Sequence, residues 1–125
     1  MTYWETLTQS VTAPDRHVMF LACAEDAVHG CTYGLLDRER GDGVRVGGMW
    51  VDPAQRRRGI GSALLQAVFG WARERQRPHI GLWAPTHHPG AIALYRRAGF
   101  VETGEFKPLP NQPTLQVMAM QAEIL

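Results

Sequence analysis

Hydrophobic positions along the chain recur with two periods, and the predicted elements change where the period changes. Trp4, Leu7 and Val11 stand three and four residues apart, which predicts a short amphipathic helix ending near Pro14. Residues 17–24 form a β-prone apolar run, Glu25 and Asp26 read as a turn, and a second extended run passes through residues 31–36, so the two runs are expected to pair antiparallel. Residues 37–43 are charged and contain glycine, as a loop does. Strand character resumes over residues 44–51, where the adjacent Gly47 and Gly48 predict a bulge.

The clearest helical pattern follows. Ile60, Ala63, Leu64, Ala67, Val68, Trp71 and Ala72 trace one face, Gln66, Arg73 and Glu74 fall elsewhere, and the helix is expected to end near Arg77, before Pro78. Residues 79–84 are a short apolar strand. Strand, helix and strand in this succession predict a right-handed crossover between two parallel strands. A second helix is predicted from Pro89, with Ala91, Leu94, Tyr95 and Ala98 on its inner face and Gly99 as its stop. Residues 100–106 read as a strand, 108–113 as a proline-interrupted loop and 114–120 as a last, alternating strand. The expected fold class is α/β, a mixed sheet flanked by helices, in a single domain over residues 1–125.

Composition adds bounds more than identity. A chain of 125 residues with 45% hydrophobic content fits one compact unit with a modest core. Thirteen Lys and Arg against twelve Asp and Glu leave a formal charge of +1, so no general field favours nucleic acid or a membrane as partner, and any basic site is local. Cys23 and Cys31 are too few for a disulfide framework. No secretory pattern opens the chain and no apolar stretch approaches the ~18 residues that span a bilayer. A soluble, cytoplasmic protein with reduced thiols is expected.

Local chemistry concentrates after residue 51. The chain turns through Asp52 and Pro53 and enters the long helix by way of Gln55-Arg56-Arg57-Arg58-Gly59-Ile60-Gly61-Ser62. A Gly-rich turn between a strand and a helix aims several backbone N–H groups at one point, beside the positive end of the helix dipole. Glycines 59 and 61 keep side chains away from those amides, and Arg56, Arg57 and Arg58 add charge, so the implied ligand carries a diphosphate. The spacing is neither that of a P-loop nor of the three-glycine dinucleotide fingerprint, which sets aside nucleotide hydrolysis and hydride transfer. The plainer alternative is a solvated helix start whose glycines permit close packing.

The neighbours of this turn carry a resemblance. Val51-x-Pro53 before it, the Ala63-Leu64-Leu65 helix after it, and Ala91-x-x-Leu94-Tyr95-x-x-x-Gly99-Phe100 downstream resemble the GNAT acetyltransferase family, most closely from Met49 to Phe100. The resemblance implies that Arg56, Gly59 and Gly61, with backbone amides of Arg57, Arg58, Ile60 and Ser62, bind the pyrophosphate of acetyl-CoA. Main-chain groups of Met49, Trp50 and Val51 would pair with the pantetheine arm, in a slot opened where the strand over residues 44–51 splays from the one over residues 79–84. Tyr95 would be the acid that protonates the departing thiolate. Where many members carry asparagine, this chain has His88, which can still donate or accept a hydrogen bond to that arm, or serve as a polar helix cap.

The implied reaction is direct attack of an amine acceptor on the acetyl thioester, with no metal and no covalent enzyme intermediate. Its tetrahedral oxyanion would be held by a strand amide near residues 49–51. The general base is not identified: residues 44–51 offer only Arg45 as an ionisable group, and Glu25, Asp26, Glu102 and Glu105 are more simply surface carboxylates. Cys23 and Cys31 have no activating partner assigned, and His29 with Cys31 gives too few ligands for a metal. The sixteen residues before His17 are too few for the first strand and two helices usual in the family, which suggests an open acceptor side, one completed by a neighbouring subunit in a homodimer, or a chain start that is a shortened version of a longer protein. Two other readings stand beside this one: a non-catalytic acetyl-CoA-binding module, and a nucleic-acid surface formed by Arg56, Arg57, Arg58, Arg73, Arg75, Arg77, Arg96 and Arg97. The latter ranks last because the charges are scattered.

Overall fold

The computed structural model describes residues 6–13, 16–24, 27–37, 43–56 and 59–124. These form strands β1 (Thr6–Ala13), β2 (His17–Ala24), β3 (Ala27–Asp37) and β4 (Gly43–Val51), a 3-10 turn at Pro53–Gln55, helix α1 (Ile60–Glu74), strand β5 (His79–Pro85), helix α2 (Pro89–Arg97), and strands β6 (Val101–Leu109) and β7 (Gln112–Glu123). The strands make one seven-stranded sheet in the order β1-β2-β3-β4-β5-β7-β6. Only the β4–β5 pair is parallel. The expected mixed α/β architecture is therefore present.

The predicted N-terminal helix is not. Residues 6–13 pair antiparallel with β2, from Thr6↔Cys23 to Ala13↔His17. Thr6, Thr8, Ser10 and Thr12 explain the outcome: β-branched and hydroxyl-bearing side chains lower helix propensity and favour an extended chain, and β2 offers an edge to pair with. Trp4 lies outside the described residues. Among the described residues no helix separates β1 from β2.

Other differences are of extent. β3 begins at Ala27 rather than at residue 31, and α1 ends at Glu74, leaving through Gln76 in a left-handed conformation with φ +56°. Of the three prolines predicted to interrupt a loop, Pro108 and Pro113 instead lie in β6 and β7, and Pro110 is in the tight turn at residues 110–111 that joins them. Pro108 is on an edge strand, and Pro113 precedes the part of β7 that pairs with β5, so neither breaks a ladder that needs its N–H.

Both helices join one core. Val18, Phe20 and Ala22 of β2, Val44 and Val46 of β4, Ile80, Leu82 and Ala84 of β5, and Met118, Met120 and Ala122 of β7 pack with Ile60, Leu64, Leu65, Val68 and Trp71 of α1, with Ile92 and Tyr95 of α2, and with Phe100. Alternate residues of the same strands face away from the helices. Met19 is 41% exposed there, and Leu21, Tyr33, Leu35, Arg45 and Trp83 are half-buried. Among the described residues no helix covers that second face.

Candidate functional site

Two local features of β4 open the sheet. Opposite β3, Cys31 pairs with Trp50 while Tyr33 pairs with Gly47, so three steps on β4 answer two on β3. This is the predicted bulge, and Gly48 takes the left-handed conformation at φ +59° that favours glycine. Three successive β3 residues hold it. The Thr32 hydroxyl donates to the Gly47 carbonyl at 3.0 Å, and the Cys31 thiol lies 3.7 Å from the Gly48 carbonyl. The Tyr33 ring lies against both glycines, so that a Cβ on Gly47 would collide with its hydroxyl end. Toward β5, the register consists of Val44↔Ile80 and Arg45↔Gly81 only, although β4 continues to Val51 and β5 to Pro85. Beyond Arg45 the strands part, and the β5-facing edge of β4 has no ladder partner.

The turn that follows is braced from below. The Asp52 carboxylate accepts the Ala54 N–H at 3.0 Å, and its backbone N–H donates to the His29 carbonyl at 2.8 Å. The His29 ring sits 3.7 Å from the same carboxylate and is largely buried. Gly59 then caps α1 at φ +80°, with no side-chain capping bond, and its carbonyl accepts the Ala63 N–H at 3.0 Å. The amides of Ile60, Gly61 and Ser62 thus begin the helix with no intrahelical acceptor, and no acidic residue stands in the first turn. This is the strand, glycine turn and helix start predicted from the sequence, an arrangement that suits a cradle for an anion. Its two glycines differ in purpose, however. A Cβ on Gly59 would meet open space, so its need is for the backbone angle; one on Gly61 would come within 2.8 Å of Leu94 Cδ2, so Gly61 lets α1 and α2 approach. For Gly61, the close-packing explanation is the structural one.

A cleft of about 630 Å³ runs from this cradle between β4 and α2, within the range of small-molecule sites. Met49, Val51, Arg56, Gly59, Ile60, Gly61, Ser62, His88 and Tyr95 line it. Trp50 does not. It alternates to the opposite face, where it is 45% exposed, so only its main chain lies along the splayed edge. Arg57 and Arg58 lie outside the described residues. His88 occupies the N-cap position of α2, but its side chain makes no capping bond; it is exposed on the cleft with its ring 4.2 Å from that of His87.

Tyr95 is buried against Phe100, ring edge to face at 6.0 Å, and burial raises its phenol above the usual 10.0. It therefore stays protonated at neutral pH and has a proton to give. Gln55 and Arg97 also line the cleft, and neither is among the residues that the resemblance assigns to the cofactor. Arg97 carries a usable signal, since it stands four residues after Ala93 and seven after Gly90, on one stripe of α2.

The carboxylates considered as bases are elsewhere. Glu102 is ion-paired with Arg96, and both Glu102 and Glu105 are on β6, separated from β4 by two strands. Glu25 and Asp26 lie outside the described residues. Several arginines of the nucleic-acid reading are engaged within the fold: Arg75 lies 4.3 Å over the Trp71 ring, Arg73 lies 5.9 Å over Phe69, and Arg96 holds Glu102. Cys23 and Cys31 are free thiols.

The model of the acetyltransferase (GNAT) family matches residues 2–100. The chain belongs to the GNAT acetyltransferase family. This GNAT domain is 38% identical over 85 residues to an uncharacterized N-acetyltransferase of Methanocaldococcus jannaschii, covering 68% of this chain and 34% of that protein. It is 37% identical over 109 residues to the aminoglycoside N(6')-acetyltransferase type 1 of Stenotrophomonas maltophilia, covering 79% and 69%. Its fold matches nourseothricin acetyltransferase with a TM-score of 0.80 at 24% identity, covering 88% of this chain and 66% of that one. It also matches a streptothricin acetyltransferase of Bacillus anthracis, solved in complex with acetyl coenzyme A, with a TM-score of 0.75 at 20% identity, covering 86% and 62%. The chain spans about a third or less of the length of the first curated relatives it matches. Among the described residues, no helix of this GNAT domain is long and apolar enough to cross a membrane.

Proposed function

We propose that this chain is an N-acetyltransferase that moves the acetyl group of acetyl-CoA to a primary amine of a small molecule or peptide. The observation that carries the reading is the continuity of one cleft from the amides that begin α1 without an intrahelical acceptor, along the released edge of β4, to the buried Tyr95. The amides suit a pyrophosphate, with Arg56 and Arg97 adding charge. The β4 edge suits an extended amide-bearing arm. Membership of the family supports the same donor, and relatives named as aminoglycoside and mycothiol acetyltransferases support an amine acceptor.

In this reading the amine nitrogen attacks the thioester carbonyl carbon directly. A C–N bond forms, the C–S bond breaks, and the sulfur leaves with its electron pair, taking the proton of the Tyr95 phenol. The excess proton of the amine passes to water, since no described carboxylate lines the cleft, and the Tyr95 phenolate recovers a proton from that water before the next turnover. An amide of β4 beyond Arg45, freed from the ladder, supports the oxyanion. Free Cys23 and Cys31 accord with a cytoplasmic setting. A homodimer is supported by β6, an edge strand exposing Val101 and Phe106 at 66% and 55%. We assign no role to nucleic acid, membrane or metal.

Incubation with acetyl-CoA and an amine panel, followed by thiol release and by mass spectrometry of the amine, tests the proposal. Amine-dependent release of coenzyme A with acetylated product is the expected result. Tight acetyl-CoA binding with no turnover on any amine would identify a binding module instead.

A further inference from the structure

The acceptor is the unassigned half of this reaction, and the sheet face turned away from both helices holds groups that bear on it. The opening between β4 and β5 passes through the sheet with the Arg45↔Gly81 pair at its foot. Val44 and Val46 lie in the core, so alternation puts Arg45 on the open face. Two residues further along each strand, on that same face, stand Gly47 beneath the Tyr33 ring and Trp83. The opening is therefore flanked by two aromatic side chains, with a guanidinium at its closed end.

Arg45 is half-buried, and among the described side chains, which do not include that of Asp37, no carboxylate is found against it. Opposite it, a Cβ on Gly81 would meet nothing nearer than the Met120 carbonyl oxygen at 3.7 Å, which leaves the strand face at Gly81 open. A shallow depression there is lined by Arg45, His79, Gly81, Trp83, Thr103 and Gln121, with no acidic side chain in its wall. Lys107 lies 4.2 Å over the Trp83 ring and adds a second cation at the rim. A partly desolvated guanidinium with no counter-ion among the described side chains favours an incoming anion, and its planar fork matches a carboxylate through two parallel hydrogen bonds. Two residues of strand span about 7 Å, enough for that ion pair and the short carbon link to an amine at the mouth beside Gly47 and Tyr33.

We propose that Arg45 is a specificity-determining residue that binds a carboxylate of the acceptor, so that the preferred acceptor is an amine that also carries a carboxylate, such as an amino acid. It would enter on the sheet face opposite the acyl donor. This inference rests on the acetyl transfer proposed above and names the substrate class for it.

The test compares matched acceptors with and without the carboxylate, phenylalanine with phenethylamine and tyrosine with tyramine, in the native chain, Arg45→Gln and Arg45→Lys. The carboxylated member of each pair should be favoured about tenfold or more in kcat/KM by the native chain, as a charge-assisted hydrogen bond implies. Arg45→Gln should abolish that preference while binding acetyl-CoA as the native chain does, and Arg45→Lys should restore only part of it. Equal kcat/KM for the members of each pair in the native chain overturns the inference and leaves the acetyl transfer standing. A preference that survives Arg45→Gln removes Arg45 from the role. Failure to acetylate any amine overturns the transferase reading, and this inference with it.

Discussion

Burial raises the Tyr95 phenol above its ordinary value of 10.0, which makes one residue testable in two independent ways. As an acid, its loss in Tyr95→Phe should lower kcat by about ten- to a hundredfold, the lower part of the range for general acids because a thiolate with a pKa near ~8.5 already leaves readily. The dissociation constant for acetyl-CoA should stay within about twofold by titration calorimetry. As a buried group, the folded chain holds the proton longer than the unfolded chain. Its contribution to stability is therefore complete below about pH 10 and is lost as pH rises through the folded value. Thermal melts should decline above that pH, and Tyr95→Phe should flatten the decline. At Gly59, φ +80° and an open Cβ position predict a different signature. Gly59→Val should weaken acetyl-CoA binding about tenfold, from a left-handed strain of about 1–2 kcal/mol borne at the cradle itself, with kcat at saturating donor little changed.

At the scale of elements, the bulge in β4 is held by its neighbour strand rather than by its own sequence. With the Tyr33 ring over it, Gly47→Ala should destabilise the fold by about 1–3 kcal/mol in denaturant melts. Adding Tyr33→Ala should cost little beyond the larger single effect, because both changes act on one contact; additive losses would show that the contact is not the cause. The two glycines signal the bulge in the sequence, but the locking residues do not, because Thr32 and Tyr33 lie fifteen and fourteen positions upstream of Gly47 and meet it only through the antiparallel register. β1 shows the converse. Its apolar positions satisfy a helical spacing by coincidence, whereas its alternating hydroxyl residues and the free edge of β2 decide for a strand. The long period-3.6 stretch of α1 and the Pro89-to-Gly99 frame of α2 are legible because each element carries its own signal.

For the whole molecule, the donor side and the acceptor side differ in legibility for a physical reason. The cradle is local chain, a turn and a helix start contiguous in sequence, so the amino-acid order alone places Gly59 and Ser62 together. The proposed acceptor side is assembled from β3, β4, β5 and β6, whose meeting depends on sheet order. In the sequence, Arg45 stands out only as the one ionisable residue of its strand. A sheet with helices on one face also leaves Met19 and Trp50 exposed, while β6 forms an edge. If β6 pairs two copies, sedimentation should show a dimer, and Phe106→Lys should shift it to monomer without altering acetyl-CoA affinity. The central claim, that one cleft both holds acetyl-CoA and delivers its acetyl group, is tested most directly by following coenzyme A thiol release with acetyl-CoA present, with and without an amine acceptor. Release that requires the amine, with one acetyl group appearing on it per thiol, is the predicted result. Acetyl-CoA bound tightly but left intact before every amine would contradict it.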